Sequence, residues 1–227
     1  MVSALKNSPA LTIRHLMSST EVARAFRFFE TNADAITDEH IRICSIPATP
    51  FGEHERAQYL SEKFSSLGLS EVEIDDEGNC IGLSKGASRS PLMVVSAHLD
   101  TVFSSDTDFT VTRRENRLLA PGIADDGCGL AALIALAQAI QAERIQTEGS
   151  ILFVGTVGEE GEGNLRGVRY LLTRGRWAKK VDAFLSFDGP GVDRITNRAL
   201  GSRRYRVELA GRTRSGRIDD TGSFRAA

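Results

Sequence analysis

A three-layer α/β fold, with a mostly parallel central sheet and helices on both faces, is predicted by three features of this 227-residue sequence. Three apolar runs, Leu92–Ala97, Ile151–Gly155 and Ala183–Phe187, lack polar alternation and so suit strands covered on both faces. Helical stretches separate the runs, and parallel strands need crossovers of that kind. Each run also leads into an imidazole or carboxylates, and the carboxyl ends of strands in an open α/β sheet are where ligands collect.

From the amino terminus, residues 1–20 are polar and weakly patterned. Glu21–Cys44 then places Val22, Phe26, Phe29, Ala33 and Ile36 at helical spacing, with an interruption near Asn32. Residues 46–52 form a loop, because Pro47 and Pro50 each bias the preceding residue out of the helical region. Helical periodicity resumes from Glu53 to Leu67 and is closed by Gly68. Val72–Asp75 and Cys80–Leu83 flank Asp76-Glu77-Gly78-Asn79, which has the chemistry of a hairpin turn joining two edge strands. The first buried run is followed by a polar segment with a strand around Phe109–Thr112. Gly129–Ala142 is then the strongest helix in the chain, rich in Ala and Leu and free of proline. The second run precedes a helix from Leu165 to Thr173, and the third run follows it. Tyr205–Leu209 reads as one further strand, whereas residues 211–227 are rich in Arg, Gly, Ser and Asp and show neither period.

The formal net charge is −2 with both signs interspersed, which leaves no basic stripe for nucleic acid and no polybasic membrane anchor. No segment has the hydrophobicity of a signal peptide or a membrane span. Cys44, Cys80 and Cys128 are odd in number and widely spaced, which fits neither a disulfide framework nor a four-cysteine zinc site. A cytoplasmic protein acting on small molecules is expected.

His98 and Asp100 close the first run on the same side of extended chain, so Asp100 can accept a hydrogen bond from the imidazole nitrogen that holds no ligand. For an isolated His-x-Asp, a satisfied strand-end histidine is the simpler reading. Asp125 and Asp126 read alone as the cap of the next helix, worth about 0.5–2 kcal/mol, and Glu159-Glu160 as a solvated loop. Convergence overturns these separate readings. A parallel sheet sets its strand ends along one edge, so His98, Asp125, Glu160 and Asp188 bring one imidazole and three carboxylates into one cleft. That concentration is too costly to leave without cations. Nitrogen and carboxylate ligands without cysteine suit zinc, with manganese or cobalt as substitutes, and a shared aspartate can bridge two ions about 3.5–4 Å apart.

Ser96-Ala97-His98-Leu99-Asp100-Thr101-Val102, Gly122-Ile123-Ala124-Asp125-Asp126, Gly158-Glu159-Glu160-Gly161 and Ser186-Phe187-Asp188-Gly189, in that order, resemble the co-catalytic di-zinc aminoacylase and carboxypeptidase family of metallopeptidases. That family includes acetylornithine deacetylase, succinyl-diaminopimelate desuccinylase, carboxypeptidase G and tripeptide aminopeptidase. The resemblance implies that His98 and Asp188 bind one zinc, that Glu160 binds the other and that Asp125 bridges them. Asp100 would orient His98, and Glu159 would be the general base that takes a proton from the bridging water. Asp126 stays in the capping role. Residues 161–167, Gly-Glu-Gly-Asn-Leu-Arg-Gly, look more like the peptidase branches.

The departures from the family are as informative. The family supplies a late histidine to its second metal and another from an inserted lid that mediates dimerisation, yet His98 is the last histidine of this chain. The expected organisation is therefore a polar extension over residues 1–20, the N-terminal part of a zinc-dependent catalytic domain over 21–203, the first lid strand over 204–210, and a disordered or out-of-frame tail over 211–227. The expected function is hydrolysis of the amide bond of a peptide or N-acyl amino acid, with two zinc ions in the family and one nearly complete site here. Lid-mediated dimerisation is not expected. The first rival is a truncated, inactive metal-binding remnant; the second is another dinuclear hydrolase such as a phosphoesterase, against which Glu159 beside Glu160 argues.

Overall fold

The computed structural model describes residues 9–189 and 191–201. The strand expected over 204–210 and the tail expected over 211–227 lie outside the described residues. Within the segment expected as a polar extension, Pro9–Met17 forms a helix, α1. The long amphipathic stretch is two helices, α2 (Thr20–Thr31) and α3 (Ala33–Cys44), which meet at Asn32. The Ser19 side chain caps α2 by accepting from Val22 N at 3.3 Å. Helix α4 (His54–Ser66) ends as its glycine predicts: Gly68 takes φ +76°, its N–H bonds Ser65 O, and Leu69 N–H bonds Phe64 O, the paired bonds of a Schellman stop.

The strands β1 (Ser70–Ile74), β2 (Cys80–Ser84), β3 (Leu92–His98), β6 (Ser150–Thr156) and β7 (Ala183–Ser186) form one mixed sheet in the order β1-β2-β6-β3-β7. β3 runs parallel to both β6 and β7, as the crossovers require, while the β1–β2 hairpin adds on antiparallel. The expectation that both hairpin strands lie at an edge is corrected: only β1 does. β2 pairs with β6 as well and is buried along its whole length, which its apolar Cys-Ile-Gly-Leu core permits. The expected strand at Phe109–Thr112 is also displaced. The outlying hairpin is β4 (Thr112–Arg114) with β5 (Arg117–Leu119), and Phe109 is instead a buried loop residue packed edge-on against Phe103.

Strand pleating divides the core. Cys80, Val95, Ala97 and Phe153 face α3, α4 and α5 (Gly127–Ala142) through Ile43, Leu60, Phe64, Leu130, Leu133 and Ile134. Their neighbours Ile81, Leu83, Val94, Leu152 and Val154 point the other way, toward Leu171 of α6 (Arg166–Thr173) and Trp177. The result is the expected three layers. Gly155 in β6 lets α4 approach the sheet closely, since a Cβ there would meet Leu60 Cδ2 at 2.5 Å. The third run departs from expectation: β7 is a strand, but it is exposed, with Phe184 at 38% and Leu185 at 39%, because it is the sheet edge and no described element covers it. No helix among the described residues is long and apolar enough to cross a membrane.

Candidate metal centre

Register places the site. Parallel pairing of β3 with β6 sets His98 beside Thr156, so the chain leaving β6 carries Glu159 and Glu160 past the imidazole. Pairing of β3 with β7 aligns Ser96 with Ser186, and the two-residue step beyond brings Asp188 level with His98. Asp125 arrives on the loop before α5. Two sets of potential ligand atoms result, His98 with Asp125 and Asp188, and His98 with Glu159 and Glu160, the atoms of each lying within 4.8 Å of one another. The sets meet at His98, and neither joins Asp125 to Glu160.

His98 is 2% exposed. Its Nε2 lies 2.9 Å from Asp125 Oδ1, and its Nδ1 lies 2.9 Å from the main-chain oxygen of Asp100. The ring is thus oriented mainly by the Asp100 carbonyl, with the Asp100 carboxylate farther off at 3.7 Å. This differs from the side-chain contact expected. The Asp100 carboxylate is used elsewhere: Oδ1 accepts from Glu159 N at 3.0 Å and Oδ2 from Glu160 N at 2.8 Å, so it holds the main chain of the two glutamates. Asp126 caps α5 through Gly129 N at 3.1 Å, as expected, and its other oxygen accepts from His98 N at 2.9 Å. The peptide between Asp125 and Asp126 is cis.

Three further charged groups, Glu53, Arg166 and Arg56, frame the site, and sequence reasoning gave a role to none of them. Glu53, 3% exposed, occupies the N-cap position of α4, but its side chain makes no capping bond to that helix. It accepts instead from Gly158 N at 3.1 Å and from both terminal nitrogens of Arg166 at 3.0 and 2.9 Å. Gly158 at φ +62° is required there, because a Cβ would come within 2.0 Å of Arg166 Nη1. Arg56, 1% exposed, donates to Ile46 O and to Leu99 O beneath the strand end. Asn79 of the β1–β2 turn supports the same loop, its Oδ1 accepting from Val157 N at 3.1 Å and its Nδ2 donating to Gly167 O at 3.1 Å. The only sequence signal for this frame was the likeness of residues 161–167, which include Arg166, to the peptidase branches of the family.

The electrostatics follow from crowding. Burial pulls the His98 imidazolium down in pKa, but Asp100, Asp126 and Asp125 together outweigh it and raise the value to about 10. Burial pushes Asp126 up to about 8 against the opposing pull of His98, with Asp188 and Asp125 adding to the rise. Glu159 and Glu160 are also displaced upward, first by burial and then by neighbouring carboxylates. Burial lowers Arg56 to about 10 although Cys44, Asp100 and Asp126 oppose it. An edge in which carboxylates drive one another toward protonation lacks positive charge. The donor set of one imidazole and several carboxylates therefore fits a divalent cation.

Comparison with known proteins agrees with this geometry. The profile of peptidase family M20/M25/M40 matches residues 94–226. A succinyl-diaminopimelate desuccinylase of Herminiimonas arsenicoxydans is 29% identical over 133 residues, which cover 56% of this chain and 35% of the desuccinylase. Human carnosine dipeptidase 1 superposes with a TM-score of 0.64 at 14% identity over 75% of this chain and 42% of the dipeptidase. Aminopeptidase PepT from Bacillus cereus superposes with a TM-score of 0.56 at 22% identity over 69% of this chain and 43% of PepT. At those identities the likeness to the solved structures is one of fold. The chain spans 35% of the length of the desuccinylase and less than half of each solved chain.

Proposed function

We propose, from the premise that the chain belongs to peptidase family M20/M25/M40, that it is the metal-binding part of a hydrolase acting on the amide bond of a peptide or an N-acyl amino acid. The observation that carries this reading is His98 standing at the junction of two ligand sets, with Asp125 and Asp188 on one side and Glu159 and Glu160 on the other. His98, Asp125 and Asp188 would hold one ion, and Glu160, with Asp125 shared, would hold a second. Zinc suits the mixed nitrogen and oxygen donors, and manganese or cobalt could replace it. When bound, such an ion polarises an amide carbonyl and lowers the pKa of an adjoining water.

The chain's own residues do the rest. Glu159 takes the proton from the attacking water and returns it to the leaving nitrogen. Asp100, by accepting from Glu159 N and Glu160 N, fixes where both carboxylates begin. The Asp100 carbonyl at 2.9 Å from His98 Nδ1 leaves Nε2 as the ligating nitrogen. The desuccinylase and dipeptidase relatives act on succinylated and peptide amides by their names, which supports an amide substrate here.

Zinc titration of the purified chain against His98→Ala tests the reading. The wild type should take up zinc, and the variant should lose at least one equivalent or bind it at least about tenfold more weakly. Equal stoichiometry and affinity in the two proteins would refute the site.

A further inference from the structure

The edge of the sheet opposite the metal centre carries a cavity of about 630 Å³, where β3 and β6 begin and β2 ends. Seven residues of strand at roughly 3.3 Å each separate the two edges, a distance of about 20 Å. Leu83, Leu92 and the indole of Trp177 give the cavity an apolar side. Arg89, Arg176, Lys179 and Lys180 line the remainder, against Glu71 and Asp182 as the acidic members. The local charge is therefore positive on a chain whose net charge is −2.

The glutamates are paired with the arginines of this patch and leave its lysines without a partner among the described residues. Glu71 pairs with Arg89 and Arg176, Glu73 also pairs with Arg176 at 3.0 Å, and Asp182 accepts through Oδ2 from Leu92 N at 2.7 Å and Ser90 Oγ at 3.4 Å. Among the described residues, neither Lys179 nor Lys180 has a carboxylate partner. Arg176 and Lys180 sit over the Trp177 ring at 4.7 and 5.8 Å from its centroid. Trp177 itself is 7% exposed, and its Nε1–H has no acceptor among the described residues. An indole nitrogen can only donate, and a buried donor without an acceptor costs free energy. Two unpaired ammonium groups and an unmet N–H beside an apolar wall lack the same thing, an acceptor that is negatively charged and carried on an apolar body.

We propose that this cavity binds a small organic carboxylate with an aliphatic or aromatic tail, the tail against Leu83, Leu92 and Trp177 and the carboxylate toward Lys179 and Lys180. This is a second ligand site, independent of the metal centre and of the reaction assigned to it.

Trp177 is the only tryptophan of the chain, so its fluorescence reports on the cavity directly. Metal-free protein in chelator would be titrated with sodium hexanoate, with hexanamide and sodium chloride as controls at matched concentration and ionic strength. Hexanoate should give a saturable change in Trp177 emission that neither control reproduces. Lys179→Gln with Lys180→Gln should weaken it by roughly fivefold per lysine, since each exposed unit charge at about 4 Å contributes on the order of 1 kcal/mol. Both lysines are exposed, so the variant should remain folded. The change should persist in His98→Ala. An unsaturable response, an equal response to hexanamide, an unaltered affinity in the lysine variant, or loss of binding in His98→Ala would each overturn the proposal.

Discussion

Glu53→Gln should destabilise the folded chain by about 2–3 kcal/mol, although Glu53 is no member of either ligand set. Its carboxylate accepts from Gly158 N and Arg166 Nη1 on one oxygen and from Arg166 Nη2 on the other. An amide has one acceptor oxygen. In its better orientation it keeps two of these bonds and turns an NH₂ toward Arg166 Nη2, donor against donor. Removing one partner of a buried pair costs about 3–5 kcal/mol. Arg166 retains Glu77 at 3.4 Å, stacks over Phe51 and has a side chain 19% exposed, which reduces the expectation to about 2–3 kcal/mol. For a chain of this size 1 kcal/mol corresponds to about 2–4 °C, so Tm should fall by about 4–12 °C. Urea melts followed by Trp177 fluorescence should show a lower midpoint at unchanged slope. In the double variant Glu53→Gln with Arg166→Met, loss of the unpaired guanidinium should make the total smaller than the sum of the single effects by at least about 1 kcal/mol. A Tm within about 1 °C of wild type, or strict additivity, would refute the pair as a buried clamp.

Asp126→Ala removes the cap of α5 and leaves the His98 amide without its acceptor. The two losses, about 0.5–2 and 1–3 kcal/mol, should lower stability by about 1.5–5 kcal/mol in a urea melt, and Asp126→Asn, which keeps one acceptor oxygen, should recover part of it. A change below about 0.5 kcal/mol would remove Asp126 from that role. Glu159→Gln, introduced into a form of the enzyme that turns over an N-acyl amino acid or dipeptide, should retain its metal while kcat falls about a hundredfold to ten-thousandfold. Turnover within about threefold of wild type would take the general-base role from Glu159.

The parallel core was legible because β3 and β6 are built of apolar and small residues without polar alternation, a pattern that suits a strand covered on both faces. The same signal misled at β7. Ala183–Phe187 is as apolar as the others, but composition records what a residue prefers and not whether a neighbour is there to meet it, and Phe184 and Leu185 remain partly exposed. Asp126 was read as a cap from its place before the strongest helix, and it is one; that its second oxygen holds His98 N depends on a contact 28 residues away. Glu53 and Arg166 stand 113 residues apart, each at the start of an ordinary amphipathic helix, so no local pattern marks them as partners. His98 and Asp100 were rightly placed on one side of the chain, but spacing alone does not choose between the carbonyl and the carboxylate of Asp100.

The acids of this edge fall into two kinds by what their oxygens already hold. Glu53, Asp100 and Asp126 are buried, and their oxygens are already taken: by Gly158 N and the Arg166 guanidinium for the first, by the amides of Glu159 and Glu160 for the second, and by those of His98 and Gly129 for the third. A carboxylate whose oxygens already accept from such donors has few lone pairs left for a cation. Among the described residues, Asp125, 53% exposed at its side chain, is hydrogen-bonded only to His98, while Asp188 is exposed and its carboxylate has no hydrogen-bond donor. The carboxylates of Glu159 and Glu160 likewise accept nothing from the described residues, although their amides are held. Buried acids thus fix the backbone from which the open acids project, so the free energy of folding secures the frame and leaves the open acids' oxygens available. The four open acids, with the one imidazole between them, are the members of the two ligand sets. That separation supports assigning metal binding to Asp125, Glu160 and Asp188 and a positioning role to Asp100, and it leaves Glu159, open but on the water side of the proposed mechanism, free to carry a proton.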